Sequence, residues 1–442
     1  MKNTRSLASE KKTHFRWAVM AVIFIGYVVC MADRSNIGTV LPFLKKEFSI
    51  SNFELGAISS FFFLGYAISQ IPAGLIISKK GTRTIVSVAI LGFSIVTFLM
   101  GHVVSAIMLL VLRLLLGLAE GPAPVGMTTT INSWFPRREK ATATGLYIAS
   151  TQFAPIIAPI AAAVLATNFG WRSVFLWFAL PGVLMAGVWF LVVRSTPEES
   201  SHVSKAELEE IRNDESGSEK SAGQKSLGLL DKIIRYQPVA TLDTNAKVLR
   251  SWGIWGDMLA YFFMNNVLYG MLTWIPSYLT VARHYSIIKM GFVAAAPSVG
   301  GLIGAVIGGW VSDKIFLGRR KPTMLLTALA TAIMMIVLIR APQNTAAVTA
   351  SLMLAGFFLN IGWPCFTAYP MGITSRDTYS FAISLVNSGG NLGGFFAPII
   401  IGALLDAFHN NYNIAFLYFV AVLILGFVLI LSLKEPRQSA EG

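Results

Sequence analysis

Residues 105–126 read SAIMLLVLRLLLGLAEGPAPVG, an apolar run interrupted by only two charges, Arg113 and Glu120. A helix rises about 1.5 Å per residue, so about twenty such residues cross the hydrocarbon of a bilayer. This run is long enough to do so. Its two charges stand two turns apart on one helix face, about 10 Å, which is too far for them to pair with each other. A charge at the bilayer centre costs about 2.5–3.5 kcal/mol even on the lenient insertion scale, so each must face a cavity or a partner from another helix.

The rest of the chain has the same character. Of its 442 residues 55% are hydrophobic and 13% charged, with a mean hydropathy of +0.64. Soluble domains carry about 25% charge. That balance excludes a soluble enzyme, a disordered chain and a disulfide scaffold. The net charge of +13 is spread over short loops between apolar runs, so it reads as membrane topology and excludes a nucleic-acid-binding face. Cys30 and Cys365, the only cysteines, lie inside apolar runs and read as small apolar fillers. Lys2, Arg5, Lys11, Lys12 and Arg16 precede the run Trp17 to Met31, but Asp33 and Arg34 follow it in place of a cleavage site. The segment therefore reads as an uncleaved first spanning helix.

Twelve spans are expected, at roughly 17–44, 53–78, 84–102, 105–130, 141–166 and 171–194, then 252–281, 288–312, 322–340, 346–370, 378–405 and 412–433. The organisation that follows is an all-α polytopic membrane protein. It has a cytoplasmic tail 1–16, a six-helix bundle 17–195, a polar linker 196–250, a second six-helix bundle 251–434 and a cytoplasmic tail 435–442. Within the linker, SKAELEEIR reads as a short amphipathic helix over Lys205 to Arg212. With both ends inside, 27 of the 35 Lys and Arg fall on the cytoplasmic side, six outside and two within spans. The positive-inside bias selects that orientation.

The two halves also repeat. Phe153-Ala154-Pro155-Ile156-Ile157 recurs as Phe396-Ala397-Pro398-Ile399-Ile400. The loop Gly74 to Arg83, with Ser78 and Lys79, parallels Gly309 to Arg320, with Asp313 and Arg319. Parallel repeats place a binding site near midplane at the interface between them. Pro122, Pro124, Pro155 and Pro398 are expected to kink their helices.

Four ionisable groups stand out within spans: Asp33, Arg34, Arg113 and Glu120. A purely structural account pairs Asp33 with Arg113 and Arg34 with Glu120. A chemical account is an anion–proton site. An arginine fork matches a carboxylate and stays charged. A desolvated Asp or Glu takes up a proton more readily than one in water. The substrate anion and the carboxylates then compete for the same arginines, which couples the two. Tyr66, Gln70 and Gln152 in the first half, and Asn265, Asn266, Tyr269, Asn360, Asn387 and Asn391 in the second, offer amides and hydroxyls that suit a hydroxylated acid, or serve as interhelical glue. Asp257, near one end of its helix, is a weaker candidate. No metal, catalytic or phosphate-loop pattern is present, so no enzyme and no cofactor is expected beyond protons as coupling ion.

The loops 74–83 and 309–320 resemble the G-x-x-x-D-R/K-x-G-R-R/K motif of the major facilitator superfamily. The first copy has Ser78 where the aspartate is expected; Asp313 would keep the inter-bundle charge contact in the second. Within that superfamily the chain resembles the anion:cation symporters of sugar acids and other organic anions. The resemblance rests on Asp33-Arg34-Ser35-Asn36-Ile37, Tyr66-x-x-x-Gln70-Ile71-Pro72-Ala73-Gly74, Arg113 with Glu120-Gly121-Pro122, Ser133-Trp134-Phe135-Pro136, Gly170-Trp171-Arg172 and Thr273-Trp274-Ile275-Pro276. It implies that Asp33 and Glu120 carry protons, Arg34 binds the substrate carboxylate and Arg113 partners the acids. It puts Tyr66, Gln152 and Asn387 on pocket positions. It adds Trp363, one turn before the place where similar carriers have a pocket tryptophan. Gly74, Lys79, Arg83, Asp313 and Arg319 take the gating-motif positions. The expectation is a proton-coupled importer of a hexonate, hexuronate or hexarate, working by alternating access as a monomer in a bacterial inner membrane. The rivals are a drug–proton antiporter on the same fold and a non-transporting membrane sensor.

Overall fold

A computed structural model describes residues 12–212 and 228–437. Among them, eleven helices are long and apolar enough to span a bilayer, and a twelfth, bent near Pro72, completes the set. The first half holds α1 (Phe15–Phe48), α2 (Asn52–Lys80), α3 (Thr82–Met100), α4 (Ala106–Trp134), α5 (Arg137–Phe169) and α6 (Trp171–Val192). The second holds α7 (Trp252–Ala282), α8 (Ile287–Ile315), α9 (Lys321–Ile339), α10 (Thr345–Gly372), α11 (Arg376–Ala407) and α12 (Tyr412–Ser432). Large apolar side chains stay exposed around the outside, among them Val104, Ile107, Leu191 and Val306. Such a surface suits lipid contact and not water.

Each helix forms because its run satisfies every backbone group internally, which hydrocarbon demands. Not every proline interrupts its helix. α4 breaks at Gly121 and resumes at Pro122, while Pro155 and Pro398 lie inside α5 and α11. The expected linker helix occurs at Lys205–Arg212.

The helices alternate direction, so Phe15 and Ser432 mark one face of the molecule (the terminal face) and Phe48 and Tyr412 the other (the distal face). The halves meet through α2 with α11, α1 with α7 and α5 with α8. These contacts are close on the distal side. A Cβ on Gly56 of α2 would meet the Pro398 carbonyl oxygen of α11, and one on Gly38 of α1 would meet the Leu272 carbonyl oxygen of α7. Only glycine allows backbones so near. At the distal end, Asp406 of α11 caps α2. Its carboxylate accepts from Asn52 N at 3.0 Å, Phe53 N at 2.8 Å and Asn52 Nδ2 at 2.7 Å. A carboxylate on the positive end of a helix dipole is stabilising.

On the terminal face the two parts of the linker grip different halves. Glu207 is fully buried and caps α1, accepting from Phe15 N at 3.0 Å, Arg16 N at 3.1 Å and Thr13 Oγ1 at 2.6 Å. Arg16 joins it and also meets Glu139 at 2.7 Å on α5. Farther on, Tyr236–Pro238 pairs in parallel with Glu435–Arg437, and Arg319 meets Asp231 at 2.7 Å. Glu435 caps α9, accepting from Arg320 N and Lys321 N, both at 2.8 Å.

The repeat-loop residues correct one expectation. Asp313 does not reach the other half; it pairs with Arg320 of its own loop at 2.7 Å. The halves are apart at the terminal face, so the nearest cation is local. Arg83 donates to the Phe190 carbonyl oxygen at 2.9 Å and lies over that ring, Lys79 is exposed, and Ser78 bonds Leu75 O within its own helix.

Candidate substrate and proton site

A cavity of about 800 Å³ lies between the halves. Its described lining comes from α1, α2, α4 and α5 on one side and α7, α8, α10 and α11 on the other; α3, α6, α9 and α12 contribute none of it. Gly74, Thr128, Thr367 and Phe381 line its reach toward the terminal face, whereas the distal end is closed by the contacts just described. The cavity therefore faces the side that bears the linker.

α1 delivers Asp33 and Arg34 to this region on diverging faces. Arg34 lines the cavity. Its Nε and Nη2 both lie 2.6 Å from Glu120 Oε1, the last residue of the α4 segment before the break. Its guanidinium sits 4.2 Å from the Tyr66 ring centroid and 5.1 Å from that of Phe62. Glu120 is fully buried, and its Oε2 has no hydrogen-bond partner. A carboxylate with one satisfied oxygen in so dry a place is held chiefly by its arginine.

Asp33 points the other way. It accepts from Thr97 Oγ1 of α3 at 3.1 Å, and its Oδ1 has no partner. The pairing of Asp33 with Arg113 read from the sequence does not form. Arg113 donates to the Ile58 carbonyl oxygen at 3.3 Å and stands 5.1 Å from the Phe62 centroid, with Phe62 shared between the two guanidinium groups. Arg113 is buried behind the cavity wall and is not part of it. Helix rotation and the Phe62 ring decide which of the four charges sees the cavity.

Tyr66, Gln70, Gln152, Tyr269, Trp363, Asn387 and Asn391 all line the cavity as expected, and so does Asn360. Gln152 Nε2 donates to Asn360 Oδ1 at 2.8 Å, a bond between α5 and α10 that joins the two halves. Asn266 does not line the cavity; it packs beside Gly393 of α11, and its Oδ1 is buried without a partner. Asn265 bonds back to the Tyr261 carbonyl oxygen at 3.0 Å. Asp257 is also outside the lining, fully buried, with neither oxygen partnered. Sequence reasoning missed three rings. Tyr27 and Tyr147 stack at 4.5 Å, and Tyr261 meets Trp363 edge-on at 5.1 Å. Tyr27 lies seven residues before Arg34 and Tyr261 eight before Tyr269, so helix periodicity from the chosen residues would have found both.

Two six-helix halves, an inter-half cavity open to one face and a buried charge pair at its wall define a secondary carrier. The chain belongs to the Major Facilitator Superfamily, whose profile matches residues 23–317 and 284–442. It is similar to the probable galactarate/D-glucarate transporter of Bacillus subtilis (strain 168), 28% identical over 90% of this chain and 87% of that one. It is likewise 28% identical to the D-galactonate transporter of Escherichia coli O6:H1, over 93% of this chain and 94% of that one. The hexuronate transporter of Bacillus subtilis is 25% identical, over 88% and 87%. Among solved structures, a D-xylose-proton symporter superposes with a TM-score of 0.72 at 16% identity, covering 95% of this chain and 98% of that one. A bacterial homologue of the lysosomal transporter Spinster, inward-facing and occupied, gives 0.73 at 17%, covering 95% and 97%. The chain is thus a multi-pass membrane transporter of a small molecule and not an enzyme.

Proposed function

We propose that the chain imports a sugar acid together with protons, by alternating access. The observation that carries this reading is the Arg34–Glu120 pair at the cavity wall, both atoms of contact on one carboxylate oxygen. An incoming carboxylate needs the guanidinium that Glu120 holds. Protonating Glu120 releases it, so substrate and proton favour the same state. Asp33, whose Oδ1 is unpartnered, is the second proton carrier, and Arg113 sets the potential for both acids. Tyr66, Gln70, Gln152, Tyr269, Trp363, Asn387 and Asn391 contact the rest of the substrate. The similarity to galactarate/D-glucarate, D-galactonate and hexuronate transporters supports the substrate class.

The distribution of Lys and Arg puts the terminal face in the cytoplasm, which makes this conformation inward-facing. The carrier then works as a monomer in a bacterial inner membrane, with protons as its coupling ion and no cofactor. One proton per monoanion is electroneutral. A second proton would add about 2.3 kcal/mol of drive per 100 mV.

The test is uptake of labelled galactonate, glucuronate and galactarate into proteoliposomes with an imposed pH gradient. Accumulation of at least one acid, abolished by a protonophore, is expected. Uptake indifferent to the gradient, or stabilisation by lipophilic cations and by no acid, overturns the reading.

A further inference from the structure

We infer that the site takes acids with a single carboxylate, polyhydroxylated along the rest of the chain, and discriminates against the dicarboxylates of the same skeleton. The inference rests on the sugar-acid reading above and narrows it. Among the described residues lining the cavity, one is charged: Arg34. Arg113, two turns before Glu120 on α4, is shut off behind Phe62 and spends a donor on Ile58 O. It does not reach a ligand.

The opposite wall is built of neutral groups. Asn387, Ser388 and Asn391 of α11 and Asn360 and Trp363 of α10 face the cavity, with Tyr261 on α7. Amides and hydroxyls both donate and accept, which is what a row of hydroxyls needs. The rings offer flat apolar faces to the C–H side of a sugar chain. A carboxylate only accepts. Placed against this wall it would meet donors but no cation, and closing the cavity around it would desolvate an uncompensated charge.

Charge balance gives the same count. Asp33, Arg34, Arg113 and Glu120 sum to zero when ionised. One proton on Glu120 frees one guanidinium, and that guanidinium matches one carboxylate. A second proton on Asp33 adds positive charge behind the wall, out of contact with the far end of a ligand.

The experiment compares six-carbon ligands that differ in their number of carboxylates. Purified wild-type protein is titrated with galactonate, galactarate and galactitol, and with glucuronate against glucarate, at pH 5.5; the same five compounds compete for labelled uptake into proteoliposomes. Each monocarboxylate is expected to bind at least ~10-fold tighter than its dicarboxylate, with galactitol weaker than either monocarboxylate. Galactarate or glucarate binding as tightly as its partner, with pH-driven uptake intact, overturns the inference and leaves the sugar-acid reading standing. If none of the four acids binds or is taken up, the sugar-acid reading itself falls and the inference with it.

Discussion

The two halves share a helix plan but divide the chemistry. The first half holds Asp33, Arg34, Arg113 and Glu120, all buried on α1 and α4. The corresponding helices of the second half, α7 and α10, bring Tyr261, Tyr269, Asn360 and Trp363 to the same cavity, and their one buried acid, Asp257, stands outside it. The two bundles thus share a helix plan while only the first brings a charged side chain to the described cavity lining. Under the proposed function coupling and recognition are separable: charge competition belongs to α1 and α4, whereas the second half meets the substrate with neutral groups alone.

That division predicts unequal losses. Arg34→Ala should reduce uptake by ~100-fold or more, since it removes the carboxylate clamp and strands Glu120. Arg34→Lys keeps the charge but loses the fork, and should recover only part of the activity. Asn387→Ala on the opposite wall should cost about 5-fold, the worth of one neutral hydrogen bond. Initial rates in proteoliposomes decide it. Equal losses on the two walls would break the comparison.

Glu120→Gln isolates the coupling step. A neutral amide leaves Arg34 free, so the variant should bind acid at pH 7.5 about 3–10-fold tighter than wild type. Wild-type binding should tighten between pH 7.5 and 5.5, and that of the variant should not. The variant should also fail to accumulate substrate against a gradient. Binding curves at both pH values test the first two points, and proton-driven uptake the third. A variant whose binding still follows pH would move the coupling group from Glu120 to Asp33.

Much of this plan is legible in the sequence. Apolar runs give all twelve helices, and SKAELEEIR gives the linker helix at its observed limits. The four buried charges stand out because hydrocarbon tolerates so few. What the sequence does not carry is rotation and distance. Asp33 turns to Thr97 and Arg113 to Ile58, because packing of α1 against α3, and of α2 against α4, fixes their faces. The caps are equally hidden. Glu207 reaches Phe15 across 192 positions and Asp406 reaches Phe53 across 353. No local pattern announces a cap whose donor and acceptor lie on different helices.

Asp406 is where the halves meet on the distal face, so it sharpens the comparison from the other side. Asp406→Ala removes three hydrogen bonds from the start of α2. Caps of this kind are worth about 0.5–2 kcal/mol. The distal seal should open more often by that amount, up to ~30-fold in population. A single cysteine placed at Leu55, buried in the first turn of α2, should then label faster with an impermeant reagent. An unchanged rate would mean that the glycine contacts at Gly38 and Gly56 hold the seal alone.

A last difference concerns two carboxylates doing the same job in the two halves. Glu207 caps α1, and Glu435 caps α9. Their surroundings push them in opposite directions. Burial would raise Glu207, but the Thr13 hydroxyl, the Arg16 and Phe15 amides and the Arg16 charge outweigh it and hold the carboxyl below the ordinary range. Burial dominates at Glu435 and lifts it above that range despite the Arg320 and Lys321 amides. An unfolded glutamate titrates near 4.3. Stabilisation from Glu207 is therefore fully present above about that pH and is lost only as pH falls through its lower folded value. Stabilisation from Glu435 is fully present below about 4.3 and declines as pH rises through its higher folded value. At pH 7.5, Glu207→Gln should cost about 1–2 kcal/mol and Glu435→Gln less than half of that. On acidification to pH 5.0 the gap between wild type and Glu207→Gln should stay constant, and the gap to Glu435→Gln should widen. Thermal melts of the three proteins in detergent at the two pH values measure both gaps. Gaps that move together would mean that the halves use the two caps alike, and that the chemical division between them stops at the cavity wall.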